Sequence, residues 1–274
     1  MKNNEIKSLS DYIDIIKKLN TYYNDTEQTP NPFLYRGQGR STEPLIPGLF
    51  RFYQDKKLEE DEKEFFYSSK EKDILDNFIR EGSSYLNLKK DSRLRWAEYA
   101  QHYGAPTRLL DWSGNPLVAL FFACQDFIEE DGAVWMLQKE KYSSFAKMKN
   151  CIDNNITEEL IADIIENKIN ITYPLLYKPY YFNERMSAQN SCFMVWGNSE
   201  KSFEKITNLE KHEMLAHEHT NETNYENGFI CRCIIKSGDK LNILNDLDMM
   251  GVNAKMLFPG LDGVGKYMQY RYRR

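Results

Sequence analysis

Apolar positions fall into two kinds of segment along the chain. A spacing of three to four residues predicts helices over 10–20, 58–85, 92–103, 117–127, 157–168, 239–249 and 261–273. Short apolar or alternating runs predict strands over 32–40, 108–112, 132–138, 193–196 and 228–236. Helices and strands are therefore mixed along the chain, which favours an α+β fold.

Two further segments carry less regular signals. Two prolines within 173–182 predict a broken or edge strand, and 183–197 passes from polar to apolar residues, as a loop or short helical turn before a core strand would. The chain has no internal repeat and no Gly/Ser-rich or Pro-rich linker. We therefore expect one α+β domain over 1–274, with a curved or split sheet of mixed or antiparallel strands flanked by helices. The N-terminal helix, 8–21, is expected to pack on it.

Composition and charge narrow the class of protein. Hydrophobic residues make up 41% and charged residues 28% of the 274 positions, which is a globular balance. With 36 Lys and Arg against 41 Asp and Glu, the formal charge is −5, so no overall basic field attracts nucleic acid or anionic lipid. The longest apolar run, 116–124, is about half of a membrane span. The sequence therefore predicts a protein without a membrane partner.

The amino terminus and the cysteines indicate the compartment. The first residues, MKNNEIKSLSDYIDIIKK, lack the apolar core of a signal peptide. Five scattered cysteines, an odd number, are typical of reduced thiols rather than of a disulfide framework. We therefore expect a cytoplasmic protein; the oligomeric state is left open.

The first candidate site is the end of the strand predicted at 32–40. Arg36 follows Tyr35 and precedes Gly37 and Gln38, and glycine lets a ligand approach the backbone closely. An arginine at this point can hold a phosphate by two parallel hydrogen bonds. In the alternative, Arg36 pairs with a buried acid and locks the end of the strand.

The second candidate is the polar string that begins at Glu98. Glu98, Gln101 and His102 occupy neighbouring positions of a predicted helix, whose end can present amide and imidazole groups to a pocket. Asp111 stands before a helix start, where a carboxylate commonly caps the helix or meets its dipole, and Arg108 can pair with it. These structural roles are the alternative to a binding site.

The third candidate is 185–193, where polar amides precede an apolar run. Gln189 and Asn190 can hydrogen-bond a substrate amide or a ribose. In the alternative, they are ordinary loop residues that cap a strand.

Other chemistries have less support. The segment 211–219, KHEMLAHEH, lacks the H-E-x-x-H spacing of a metalloprotease, so no metal ion is expected. The sequence also has no P-loop and no serine nucleophile elbow.

Taken together, these motifs resemble the FRG domain family. The family is named for a (Phe/Tyr)-Arg-Gly motif, which Tyr35, Arg36 and Gly37 match, and the block QHYGAPTRLLDW is its most specific part here. The segments NERMSAQNSCFMVW and MMGVNAKMLFPGLDGVGKYM extend the resemblance over 32–270, nearly the whole chain. Members occur in bacteria and phages, in settings that suggest conflict between the two.

The order of the motifs along the chain is also similar to that of the ADP-ribosyltransferase fold. That fold places an arginine or histidine on a first strand, then a second strand leading into an Ala-x-x-(Tyr/Phe)-Ala helix, then a late Gln or Glu. Arg36, the helix with Ala119, Phe122 and Ala123, and Gln189 match in this order. The resemblance implies that the first-strand residue holds NAD and that nicotinamide leaves through an oxocarbenium-like transition state. Gln189 stands where a catalytic Glu is expected, and Glu98 or Glu184 would replace it only if the fold brings it in.

The resemblances imply a nucleotide ligand, with NAD as substrate and a protein or nucleic acid as acceptor. The expected activity is that of an ADP-ribosyltransferase or NAD-consuming effector, a toxin or phage-defence protein. Its expected catalytic residues are Arg36, Gln189, His102 and Glu98. Its expected cofactor-binding residues are Tyr35, Arg36, Gly37, Gln38, Gln101, Asp111 and Asn190. Two alternatives stay open: a non-catalytic module that binds a nucleotide, a nucleic acid or a partner, and a nuclease.

Overall fold

The computed structural model describes residues 4–27, 31–56, 58–85, 92–209 and 228–272. Its strands are β1 (Asn4–Ile6), β2 (Phe33–Gln38), β3 (Leu109–Ser113), β4 (Gly132–Gln138), β5 (Leu175–Tyr177), β6 (Ser191–Val195) and β7 (Ile230–Ile235). They form one sheet in the order β1-β7-β4-β2-β3-β6-β5. β1 runs parallel to β7 and the other neighbouring strands are antiparallel. The expected mixed sheet is confirmed.

Helices cover both faces of the sheet. They are α1 (Leu9–Glu27), α2 (Gly48–Phe52), α3 (Glu60–Gly82), α4 (Arg93–His102), α5 (Pro116–Cys124), α6 (Lys139–Lys149), α7 (Glu158–Ile165), α8 (Glu184–Ala188), α9 (Phe203–Thr207), α10 (Ser237–Met249), α11 (Ala254–Leu257) and α12 (Leu261–Tyr272). One hydrophobic core joins α1, α5, α10, α11 and α12 to the sheet, and the other joins α2, α3, α4, α6 and α7 to it. The expected α+β class, with helices flanking the sheet, is confirmed.

β2 and β3 share fewer residue pairs than any other two neighbouring strands of the sheet. β2 pairs with β4 along its whole length, from Phe33 opposite Gln138 to Gln38 opposite Ala133. With β3, in contrast, β2 shares one residue pair, Tyr35 opposite Ser113. The sheet is therefore continuous, but β2 and β3 part beyond this pair. The expected split appears as an opening between two strands rather than as two separate sheets.

Helix α5 packs unusually close to β2. A Cβ atom placed on Gly37 would lie 1.9 Å from the carbonyl oxygen of Ala119 in α5. Asn115 caps this helix, because its Oδ1 accepts a hydrogen bond from the Leu117 amide, and Pro116 occupies the first turn. The helix predicted over 117–127 thus begins at Pro116, and it packs directly against Gly37 of β2.

Most predicted elements are present, with a few differences. The predicted helix at 58–85 is a single helix, and the predicted edge strand within 173–182 is β5, at one end of the sheet. Helix α1 begins before the predicted residue 10 and is capped by Ser8, since Ser8 Oγ accepts a hydrogen bond from the Asp11 amide. Five elements were not predicted: β1, α2, α9 and α11 are only three to five residues long, and α6 has weak helical periodicity.

No helix in the described ranges is both long and apolar enough to cross a membrane. The division of 1–274 as one domain stays a prediction.

Candidate functional site

A polar cavity lies where β2 and β3 part. Its volume is about 290 Å³, close to the lower end of the range of roughly 300–1,000 Å³ that is usual for ligand sites. The end of β2, the end of α4, the middle of β3, one side of α5 and the region of α8 supply its walls. Eight of the ten predicted site residues line it: Tyr35, Arg36, Gly37, Gln38, Gln101, His102, Asp111 and Gln189.

Arg36 enters this cavity from β2. Its Nη1 donates a hydrogen bond to the main-chain oxygen of Asp111, across the gap between the two strands. Burial lowers the pKa of Arg36 to about 10; the nearby Asp111 opposes this shift and Arg51 adds to it, so the side chain remains a cation at neutral pH. Arg36 forms no ion pair with any described carboxylate, and its buried Nε has no hydrogen-bond partner among the described residues. The predicted alternative, a pair with a buried acid, is wrong.

Gln101 and Asp111 form the opposite wall. Thr107 Oγ1 donates to Gln101 Oε1 at 2.7 Å, which turns the amide nitrogen of Gln101 toward Asp111, and Nε2 donates to Asp111 Oδ2. The side chain of Asp111 is exposed to the cavity rather than packed in the sheet. A carboxylate is therefore fixed in place by an amide and remains open to a ligand.

The two structural roles considered for Asp111 are wrong. The helix that follows is capped by Asn115. Arg108 is buried, and its Nε donates to the equally buried Glu71 of α3. Asp111 therefore neither caps α5 nor pairs with Arg108.

Arg185 and His102 form a third wall. Arg185 Nη1 donates to the main-chain oxygen of His102 at 3.3 Å, and its guanidinium lies 4.7 Å from the ring centre of Phe258. Burial lowers the pKa of Arg185, and its buried Nε has no partner in the described part of the chain. Burial, and then the charge of Arg185, lower the pKa of His102 to about 4, so this imidazole is neutral at neutral pH.

Gln38 and Gln189 line the cavity with amides that are already engaged. Gln38 Oε1 accepts from Trp135 Nε1, and its Nε2 donates to the main-chain oxygen of Glu43 at 3.2 Å. Gln189 Nε2 donates to the main-chain oxygen of Leu257 at 3.0 Å, which ties the start of β6 to α11. Both amides hold loops around the cavity.

Glu98 and Asn190 lie outside the cavity. Glu98 is fully buried, and its Oε2 accepts a hydrogen bond from Arg95, one turn earlier in α4, at 2.6 Å. This pair draws its carboxylate away from the end of the helix. Asn190 has a positive φ of 46° and accepts from Tyr181 at 2.9 Å. The structure thus separates both from the site in which they were predicted; Glu184, considered as a substitute, is exposed and does not line the cavity.

Part of the chain that builds the cavity matches a known family. Residues 31–132 match the family model of the FRG domain. This segment, which is less than half of the chain, is therefore similar to the FRG domain family. No curated protein and no solved structure matches the chain. The match is shorter than the resemblance expected over 32–270, and the likeness to the ADP-ribosyltransferase fold stays a prediction.

The FRG domain match covers only part of the cavity. It includes β2, α2, α4, β3 and α5, which carry Arg36, Arg51, Gln101 and Asp111. Arg185 and Gln189, on the remaining wall, come from outside the match. The site therefore depends on a later part of the chain.

The sequence analysis missed two arginines that line the cavity. Arg51 lies in α2, where no element was predicted, and Arg185 lies in α8, at the start of the third candidate segment. Each is a cation in a short segment that precedes or follows an apolar run. That signal is weak, because a surface arginine gives the same pattern.

The described residues contain no group of three His, Cys, Asp or Glu side chains arranged to hold a metal ion. The segment 211–219 lies outside the described residues.

Proposed function

We propose that the protein binds a phosphate-bearing nucleotide in the cavity between β2 and β3, that the nucleotide is NAD, and that the protein cleaves its bond to nicotinamide. The observation that carries the proposal is the pair Arg36 and Arg185. Both guanidiniums reach the cavity, both have a buried Nε without a partner among the described residues, and both donate to carbonyl oxygens rather than to carboxylates.

An anionic ligand fits this arrangement. Burying a cation is unfavourable unless an opposite charge or several hydrogen bonds accompany it. A phosphate supplies both, because two of its oxygens match the fork of a guanidinium. The neighbouring Arg51 also faces the cavity, so the site has three arginines. A nucleotide phosphate is therefore the ligand group that the cavity favours.

Asp111 and His102 suit the proposed chemistry. When nicotinamide leaves NAD, the bond between its ring nitrogen and the ribose carbon breaks, the electron pair goes to nicotinamide, and positive charge develops on the ribose. The carboxylate of Asp111, oriented by Gln101, can stabilise that charge. Neutral His102 can accept a hydrogen bond from the attacking hydroxyl, of water or of a protein or nucleic-acid acceptor, and the proton then passes to solvent because the lowered pKa makes the imidazole a weak base.

A second candidate is a module that binds the nucleotide without chemistry. It is favoured by the engagement of Gln189, whose amide is bound to the main chain at Leu257, and by the burial of Glu98 outside the cavity. A nuclease has less support, since no metal-binding group is found among the described residues. A role as a toxin or in phage defence rests on the family resemblance alone.

The test is incubation of the purified protein with NAD, with nicotinamide release followed by mass spectrometry and binding by thermal shift. A ligand at 100 times its Kd stabilises the folded state by about 2.7 kcal/mol, so binding raises Tm. We expect release by the wild type, loss of release in Asp111→Asn, and loss of both release and the Tm shift in Arg36→Gln.

Arg80→Gln is the matched control, because Arg80 is exposed on α3 and lies outside the cavity. A Tm shift without release supports the binding module. If NAD neither raises Tm nor is consumed, the proposal is wrong.

A further inference from the structure

A second cavity adjoins the first across Arg36. It has a volume of about 440 Å³ and lies between α2 and the turn after α4. Four residues line both cavities: Arg36, Arg51, Gln101 and Asp111. The two cavities are therefore neighbouring chambers of one groove, and two arginines stand at their junction.

The junction holds arginine hydrogen-bond donors that no described residue uses. Arg51 lowers the pKa of Arg36, which means that two like charges are held near each other. Arg51 lies 3.6 Å from Glu43, its Nη2 donates to the main-chain oxygen of Ile46, and its buried Nε has no partner within the described ranges. Two carboxylates, Asp111 and Glu43, neighbour the two guanidiniums, and the buried Nε groups of both arginines remain able to donate to the oxygens of a diphosphate.

The second chamber is apolar where it is not shared. Its own walls are Gly48, Phe52, Gly104, Ala105, Pro106 and the leucines of β3. These side chains carry no hydrogen-bonding group, and Phe52 is 70% exposed. An exposed aromatic ring beside an apolar wall is a surface on which a flat heterocyclic base can stack.

We propose that this chamber is a second nucleoside subsite, so that the ligand of the groove is a dinucleotide. Its diphosphate lies at Arg36 and Arg51, one nucleoside occupies the first chamber, and the base of the other stacks on Phe52. The inference rests on the proposed function and names its substrate class.

The experiment compares NAD with nicotinamide mononucleotide, which lacks the second nucleoside, by isothermal titration. Base stacking on an aromatic side chain contributes roughly 1–3 kcal/mol, so Phe52→Ala is expected to weaken NAD binding by about tenfold or more and to leave the mononucleotide unchanged. Phe52→Trp retains NAD affinity. Phe65→Ala is the matched control, since Phe65 is 77% exposed on α3 and lines neither chamber.

The outcomes separate this inference from the proposed function. If the mononucleotide binds in an Arg36-dependent way and Phe52→Ala leaves NAD affinity unchanged, the second subsite is wrong and the first stands. An equal loss for both ligands also overturns the second subsite, because Phe52 would then act on the first chamber. If the wild type binds neither ligand, both proposals fail.

Discussion

Arg36 and Gly37 are consecutive residues of β2, and their positions face opposite sides of the strand. Successive side chains of a strand point to opposite faces. Position 37 faces α5, where a side chain would meet the backbone of Ala119, and position 36 faces the opening toward β3. The Arg-Gly pair therefore places a cation in the cavity while the helix packs against the strand behind it.

Gly37→Ala is expected to destabilise the protein by about 1–3 kcal/mol, because the added methyl group must displace backbone rather than a flexible side chain. Urea unfolding measures the effect. The control is Gly265→Ala, where nothing lies within 4 Å of the added Cβ in α12, so helix propensity should stabilise the protein by up to about 1 kcal/mol. Equal effects of the two substitutions would contradict the close approach.

The buried pair of Arg108 and Glu71 is a second local determinant. Arg108 also donates to the main-chain oxygen of Ile164 and to Asn167 Oδ1, so it joins α3, β3 and α7. Glu71→Ala would leave a buried cation without its counter-ion and is expected to cost about 3–5 kcal/mol in the free energy of unfolding.

The control for the Glu71 substitution is the exposed pair of Asp163 and Lys168, in which Asp163→Ala should cost less than about 1 kcal/mol. Denaturant unfolding of both variants measures the contrast. If both substitutions lower the free energy of unfolding by a similar small amount, the buried pair does not stabilise the contact of α3, β3 and α7.

Helix α4 joins the core to the site and carries two groups with opposite pKa shifts. Burial raises the pKa of Glu98 to about 7, against which Arg95 acts, and burial followed by Arg185 lowers that of His102 to about 4. Both shifts disfavour the charged form. The helix therefore holds two titratable groups neutral over part of the acidic range.

These shifts predict a cancellation in the dependence of stability on pH. Between about pH 4.5 and 7 the folded state keeps the proton of Glu98 and the unfolded state has lost it, so the free energy of unfolding falls as pH rises. Between about pH 4 and 6.5 the unfolded state binds a proton at His102 and the folded state does not, so the free energy falls as pH falls. The two slopes oppose each other.

Glu98→Gln removes the first slope, so its stability relative to the wild type should rise from pH 4.5 to 7, by on the order of 2–3 kcal/mol. His102→Gln should show the opposite trend relative to the wild type below pH 6.5. Chemical unfolding across this pH range measures both. A constant difference between Glu98→Gln and the wild type would contradict the buried, raised carboxyl group.

The matched FRG segment depends on the rest of the chain. Within 31–132, β2 and β3 share one residue pair, and their long partners, β4 and β6, lie almost wholly or wholly beyond it. Buried Lys240 of α10 adds a second link, since its Nζ donates to the main-chain oxygens of Gly39 and Phe127 at 2.7 and 2.9 Å. The later strands and helices thus hold the site together.

A fragment of residues 31–132 is therefore expected not to fold, because two strands joined by one pair cannot form a stable sheet. Far-UV circular dichroism and amide chemical-shift dispersion should show an unfolded chain, with the full-length protein as control. Cooperative urea unfolding of the fragment would contradict this prediction.

Local patterns determined much of the fold and several of the site residues. The strand at 132–138, the cap and first turn of α5 and the edge position of β5 follow from periodicity, Asn and Pro, because these depend on neighbouring residues. Arg36, Gln101 and Asp111 were also found, because polar residues next to apolar runs are a local signal. Their convergence was a hypothesis that needed the order of the strands.

The tertiary structure alone decided which of the candidates meet. Glu98 and Gln101 are one turn apart in the same helix, yet Arg95 and the core draw Glu98 away while Thr107 turns Gln101 into the cavity. Arg185 comes from a segment that is distant in the sequence. Its neighbouring residues resemble those of a surface arginine, so the sequence did not predict its place in the cavity. Sequence spacing fixes the face of a helix or strand, whereas the direction of a side chain depends on partners that are remote in the sequence and are brought near only by folding.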